Sequence, residues 1–303
     1  MHNYQNQNLI ISGLLFGSQV SLLWIASHAD ALVFIITVVA FSFLGLTNYA
    51  MMHEAMHKNL HSKKSINHTV GMIISWMFPV SFTFMEAAHE VHHKYNRTDH
   101  EMFDYYYDTD NFLVKHLQWY SILIGIYPPI IPVGSVLMAI MPRFFLTAPW
   151  QKAKSSSIIF NPDLFTPSVI KKIRIDVILG VIFWVSLFHL LKLDPLSVLI
   201  VYIATWFNWS TRQYITHAFT PRDIINGAHN LKVSPIMGWV FLNSHWDLVH
   251  HQFPDLAWQS LPERGASSKA PIPYWKQYFK LWLGPRRNIE PEPVIKNETY
   301  SNE

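Results

Sequence analysis

The 303-residue sequence contains no cysteine. Disulfides, thiolate zinc sites, haem-thiolate ligation and protein-bound iron–sulfur clusters are thereby excluded, and the redox compartment goes unread. Charge is scarce as well: Asp, Glu, Lys and Arg make up 14% of the chain, against about 25% in soluble domains. With 50% hydrophobic residues and a mean hydropathy of +0.14, a water-facing globule of this length would be short of charged surface, so the chain reads as a membrane protein. The net charge is only +3. Its basic residues lie scattered in loops, with no stripe to follow a phosphate backbone, which argues against nucleic acid as a partner. There is no internal repeat.

Two apolar runs open the chain, Asn8 to Ala29 and Ala31 to Met52, parted only by His28 to Asp30. Each is long enough to cross about 30 Å of hydrocarbon as a helix, and together they read as a transmembrane hairpin. Ala29-Asp30-Ala31 looks like a signal-peptide cleavage site, but the region before it has no Lys or Arg and a second full-length run follows at once. Ile175 to Leu191 and Pro195 to Thr211, joined at Lys192-Leu193-Asp194, predict a second hairpin. Ile66 to Met85 is broken by Pro79, and Leu117 to Met141 contains Pro128, Pro129 and Pro132. Prolines remove backbone donors and kink helices, so these two stretches are partial crossings, re-entrant or lying in the interface.

The expected fold is therefore an all-α integral membrane protein with about four transmembrane helices in two hairpins, interfacial or re-entrant helices and a His-rich helical cap. Residues 1–285 form one domain; the polar, Pro-rich tail 286–303 is expected to be unstructured. The hairpin turns contain only Lys192, whereas Lys58, Lys63, Lys64, Lys94, Arg97, Lys115, Arg143, Lys152, Lys154, Lys171, Lys172 and Arg174 lie in the segments between. By the positive-inside rule those segments, both termini and the cap face the cytoplasm. The aromatic, basic stretch Tyr274 to Trp282 suits a helix lying in the interface.

Against the missing cysteines stand 17 histidines, seven of them in three clusters: His53-Glu54-Ala55-Met56-His57, His89-Glu90-Val91-His92-His93, and Asp247-Leu248-Val249-His250-His251. Gln213 and His217 add a fourth pair just past the last apolar run. On a helix, residues i, i+3 and i+4 share a face, so His89, His92 and His93 are expected to point into one volume, and Asp247, His250 and His251 likewise. So many imidazoles at one membrane depth are unfavourable without a cation among them, and neutral imidazole is the commonest protein metal ligand. A polynuclear metal site follows.

HEAMH is formally HExxH, the zinc protease signature, but a protease needs one further ligand and leaves His89, His92, His93, His217, His250 and His251 largely unused. Glu-x-x-His pairs of the di-iron carboxylate type occur at Glu54/His57, Glu86/His89 and Glu90/His93; they overlap the His clusters, and the site would be dominated by imidazole. A transport protein would place its ligands within the spans along a pathway, whereas here they lie at or beyond the span ends.

From His53 to Pro262 the arrangement resembles the membrane fatty acid desaturase and hydroxylase superfamily. The matching pieces are HEAMH, HEVHH followed by Asn96 and Asp104, QYITH, and DLVHHQFP, in the family's order and with a hairpin between the second and third boxes. The resemblance implies two non-haem irons held by His53, His57, His89, His92, His93, His217, His250 and His251, with O2 as co-substrate, attacking an unactivated C–H bond of an acyl or lipid chain. Such a bond has no useful acidity, so a histidine base could not break it. Desaturation is the leading reaction, with hydroxylation, keto-group insertion and oxidative decarboxylation as alternatives on the same scaffold. Gln213 is implied as a polar side chain near the metal. With no cysteine, no G-x-G-x-x-G string and no His-Pro-Gly-Gly string, electrons are expected from an external ferredoxin or cytochrome.

The third box departs from the family pattern. Where the resemblance implies a histidine three residues before the His pair, Asp247 stands, and His245 sits two residues earlier. At about 100° per residue, Asp247 lies about 60° from His250 and His245 about 140°. Asp247 is thus expected to be an iron ligand or to bind a metal-held water, with His245 outside the ligand face. Glu54, Glu90, Asp99, Asp104 and Asp223 are candidate acceptors for imidazole N–H groups. His61, His100 and His229 are candidate supporting residues, and His2, His28, His68, His116 and His189 are unrelated to the site.

Overall fold

A computed structural model describes residues 2–147 and 163–294 of the chain. Lys152 and Lys154, which entered the orientation argument, lie outside the described residues. The fold is all-α: α1 (His2–His28), α2 (Ala31–Met56), α3 (Lys64–Trp76), α4 (Phe82–Tyr95), α5 (Phe112–Leu123), α6 (Ile130–Ile140), α7 (Pro167–Leu191), α8 (Pro195–Gln213), α9 (Asp247–Gln252) and α10 (Tyr274–Leu281) are joined by shorter turns. The strands are two-residue pieces: β1 (Tyr105–Tyr106) pairs with β4 (Arg286–Arg287), and β2 (Leu231–Lys232) with β3 (Ile272–Pro273).

Both hairpins turn where the sequence supplies the chemistry. Asp30 caps α2 by accepting from the Val33 N–H at 3.1 Å, which satisfies a donor the helix start leaves open. Lys192 closes α7 in the left-handed region at φ 49°. Asp194 then caps α8 from 2.8 Å, with Pro195 in its first turn, the position where a missing N–H costs nothing. Packed centrally against α1, α3 and α8, α2 carries Gly45 directly against the Thr205 methyl.

Tyr4–His28, Ala31–Met56 and Pro167–Leu191 are long and apolar enough to cross a membrane. Of the four expected crossings the last differs: α8 is a 19-residue helix, about 28 Å long, whose final third holds Asn208, Ser210, Thr211 and Arg212 and lowers its hydropathy. Its other face still exposes Leu196, Leu199, Ile203 and Phe207, an apolar stripe at helical spacing. The two partial crossings resolve into pairs of short helices. Ile66 to Met85 becomes α3, a turn through Pro79, and the start of α4. Leu117 to Met141 breaks between α5 and α6, at Gly125 (φ 79°) and Pro128-Pro129. A Cβ on Gly125 would stand 2.8 Å from the Phe207 backbone, so both backbone angle and proximity require glycine there.

Beyond α8 the chain forms the cap. Its centre is the buried pair Arg97–Asp104, bonded through both guanidinium nitrogens at 2.7 and 3.1 Å, with the Tyr214 hydroxyl 2.9 Å from Arg97. This pair fixes the turn that follows α4 against the segment that follows α8. As expected, Tyr274 to Trp282 forms a helix, α10, which buries Tyr274, Gln277 and Leu281 and exposes Trp275 and Phe279. The tail, expected to be unstructured from Arg286, instead begins with β4: Arg286 and Asn288 N–H groups donate to the carbonyls of Asp104 and Tyr106, each at 2.8 Å. Glu290 and Glu292 then accept the backbone N–H groups of Arg222 and Asp99 at 2.9 and 3.0 Å. The backbone groups of β1 left open by a short edge draw the tail in; residues 295–303 lie outside the described residues.

Candidate metal centre

Four elements bring the expected ligands together. The last turn of α2 supplies His53, and His57 caps that helix. The second helix, α4, carries His89, His92 and His93, and its start is fixed twice: Ser81 caps the Phe84 N–H at 3.1 Å, and Asp176 of α7 accepts the Ser81 hydroxyl at 3.0 Å and the Thr83 N–H at 2.8 Å. Buried Asp176 thus clamps the His-bearing helix to a membrane-spanning one. The turn after α8 brings His217, and α9 brings Asp247, His250 and His251.

All eight expected imidazoles converge, in two groups. His53, His57, His89, His93 and His250 form one, and His92, His217 and His251 the other, with the ligand nitrogens of each group within 4.8 Å of one another. The expectation that each box points into a single volume is thereby corrected. Adjacent residues diverge by about 100°, so His92 and His93, like His250 and His251, part company to opposite groups, while each i, i+4 pair (His53/His57, His89/His93) stays on one. The rings remain close, with His93 and His251 centroids 4.5 Å apart.

Asp247 lies beside the three-histidine group, one turn before His251 on α9. Its Oδ2 lies 3.1 Å from His217 Nε2 and 4.0 Å from His251 Nε2, and that oxygen is buried with no hydrogen-bond partner among the described residues. His245 belongs to neither group. Gln213 lies one turn before His217, and its amide donates to the Tyr49 hydroxyl at 3.2 Å.

The donor set fits metal. In the larger group Nε2 atoms face one another at 2.7 Å (His57 to His89) and 3.1 Å (His93 to both His89 and His250), and converging lone pairs of this kind suit a shared cation. Burial, reinforced by neighbouring imidazoles, holds His89, His93, His217, His250 and His251 well below the usual histidine range and brings His57 to about 3. Burial thus favours the neutral form that ligation requires. His92 is the exception: burial pulls it down, but the bond and charge of Glu101 outweigh this and raise it. Burial also lifts the Asp247 carboxyl to about 6, partly countered by a hydrogen bond from Thr216.

The outer contacts differ from those expected. Glu54 accepts the Trp258 N–H at 3.2 Å, Asp99 pairs with Arg222 at 2.7 Å, Asp104 is held by Arg97, Asp223 closes its own loop on Ile225 and Asn226, and Glu90 is exposed. The acceptors of ligand N–H groups are Glu101, 3.4 Å from His92 Nδ1, and the Gly227 carbonyl, 3.1 Å from His217 Nδ1. No sequence pattern marks either; each is brought in by the Arg97–Asp104 cap. His229 donates its N–H to the Thr216 carbonyl at 2.7 Å, beside the turn that carries His217. His61 is engaged with Lys63 and His100 with Tyr95.

Two cavities meet at the centre. One, about 180 Å³, is walled by Phe84, Met85, Val91, Phe103, Ile122, Ile131 and Phe165; the other, about 110 Å³, includes Leu46, Arg212, Leu231, Phe241, His245 and Asp247. Tyr49, His92, Trp209, Gln213 and His217 border both.

An all-helical membrane protein that gathers eight imidazoles into two adjoining groups, with a carboxylate beside one and an apolar cavity opening on both, belongs to the class of histidine-box membrane oxidoreductases. The family model described as fatty acid desaturase matches residues 29–280; the chain belongs to that family, whose members oxidise lipid chains. No curated protein and no solved structure gives a match. The zinc protease reading loses its general base, since the Glu54 carboxylate is taken up by Trp258 and both HExxH histidines sit among three further imidazoles.

Proposed function

We propose that this chain holds two irons and uses O2 to oxidise an unactivated C–H bond of a fatty acyl or lipid chain, with desaturation as the reaction. The observation that carries this is the pairing of the two ligand groups through shared elements, α4 and α9, each of which contributes to both. His53, His57, His89, His93 and His250 would hold one iron; His92, His217, His251 and Asp247 the other. When bound, the irons supply O2 activation and the oxidising strength that the alkyl bond demands.

The residues of the chain do the rest. Phe84, Met85, Val91, Phe103, Ile122, Ile131 and Phe165 offer an alkyl chain a dry wall and lead it toward His89 and His92. Gln213, tied to Tyr49, borders the point where that chain passes the ligands and sets its lateral position. Glu101 and the Gly227 carbonyl fix the rings of His92 and His217. Forming the double bond removes two hydrogens from the substrate; with two electrons from an external ferredoxin or cytochrome and two protons from solvent, O2 is reduced to two waters. Basic residues around the ligand-bearing segments support a cytoplasmic placement of the centre, both termini and donor docking.

Metal analysis of the detergent-purified protein is the direct test, with about two irons per chain expected and a single zinc overturning the reading. Lipids from a host with and without the gene should differ by an unsaturated chain. Hydroxylated, keto or shortened products would reassign the reaction on the same centre.

A further inference from the structure

The smaller cavity contains a cation that the metal centre does not use. Arg212 lies in the last turn of α8 and borders the same space as His92, His217 and Asp247. Its Nε donates to Asn208 at 2.9 Å and one terminal nitrogen to the Tyr274 hydroxyl at 2.7 Å. The other terminal nitrogen has no protein partner, and Arg212 takes part in no ion pair among the described residues. Asp247, the carboxylate of this cavity, is committed elsewhere, facing His217 at 3.1 Å and bonded by Thr216.

The guanidinium is half-buried beside Leu46, Trp209, Leu231 and Phe241, where an anionic amphiphile would meet both a positive charge and apolar walls. It is held in one orientation by two partners from different elements, so its free terminal nitrogen presents fixed, charged donors to a carboxylate or phosphate oxygen. The cavity continues into the apolar one past Tyr49, Trp209 and Gln213. We propose that Arg212 binds the anionic head group of the substrate, which lies with its head in the smaller cavity and its chain running past the ligands into the larger one. The substrate class is thus an anionic single-chain amphiphile, a free fatty acid or a lysophospholipid bearing a phosphate monoester, and the position oxidised is counted from the head. This rests on the oxidase reading above.

The test is binding to the purified, metal-loaded full chain in nanodiscs, followed by calorimetry with palmitate, methyl palmitate, palmitoyl lysophosphatidic acid and palmitoyl lysophosphatidylcholine. An anionic ligand should bind about tenfold or more tightly than its uncharged or zwitterionic counterpart, the range for a charge-assisted hydrogen bond. Tighter binding of palmitate than of its ester identifies a carboxylate; preference confined to the lysophosphatidic acid identifies a phosphate. Arg212→Gln should abolish the preference while leaving the iron content unchanged, and Arg212→Lys should keep part of it. Equal binding of charged and uncharged ligands by the native protein, or a preference that survives Arg212→Gln, overturns the proposal. The native comparison needs no variant, so a folding defect cannot mask it. A chain that prefers anions but holds no iron would instead sink the oxidase reading and leave the head-group site standing.

Discussion

Removing Asp247 should unload one metal site and spare the other. The two ligand groups are unequal: five imidazoles in one, three in the other. On the proposed assignment Asp247 would bring the smaller group to four, with its buried oxygen 3.1 Å from His217 Nε2. Loss of even an outer contact to a metal ligand costs about 10–100-fold in affinity, or about 1.4–2.7 kcal/mol. Asp247 stands among the ligands themselves, so that range is a lower bound, and the five-imidazole group keeps every donor. Asp247→Ala, purified and dialysed against weak chelator, should retain about one iron per chain by mass spectrometry, and Asp247→Asn should fall between it and the native protein. His245→Ala should retain both, because His245 contributes to neither group. Loss of iron only in the His245 variant, or loss of both irons on removing Asp247, would refute the assignment.

Glu101→Gln should weaken metal binding at the smaller group by about 10–100-fold through His92, read as a chelator concentration that strips one iron before the other. Asp176→Ala should destabilise the fold by roughly 1.5–3 kcal/mol, the scale of a hydrogen bond to a charged group, seen as a lower melting temperature with earlier exchange of the α4 amides. In metal-stripped protein the depressed imidazoles set the pH dependence: the unfolded chain binds protons below about 6.5 that the folded one refuses. Stability should therefore fall as pH drops from about 6.5 toward 4, by at most about 1.4 kcal/mol per pH unit for each such imidazole. Asp247, raised to about 6, works the opposite way, taking up its proton more readily when folded, and offsets about one imidazole across that window. A flat melting temperature between pH 7 and 5 would contradict the buried, neutral histidines. Met85→Trp, filling the apolar cavity, should shift product profiles toward shorter chains.

The helices and the histidines that come together were legible because both depend on short-range periodicity: apolar runs of spanning length, and histidines at i, i+3 and i+4. Which group each histidine joins was not, since that depends on how α2, α4 and α9 are rotated against one another, and the 100° step between His92 and His93 is divided by packing rather than by spacing. Glu101 and Gly227 were invisible for a related reason: nothing local distinguishes Glu101 from Glu90, and only the buried Arg97–Asp104 pair carries it back to His92. The strand at Arg286–Arg287 was not legible because the composition there is polar, while its pairing comes from the edge of β1 some 180 residues away in the sequence.

The span of sequence that the centre gathers has a consequence for synthesis. His53 and His57 leave the ribosome about 200 residues before His250 and His251, which at about 5–20 residues per second is roughly 10–40 s. For about the first 30 residues of that interval, until His89, His92 and His93 follow, His53 and His57 stand as a lone pair at the membrane, and simple affinity favours copper or zinc over iron at such a site. The two groups are therefore completed late and together, when α9 adds His250 to one and His251, with Asp247 beside it, to the other, and the tail strand closes behind it once Glu292 reaches the turn that carries Glu101.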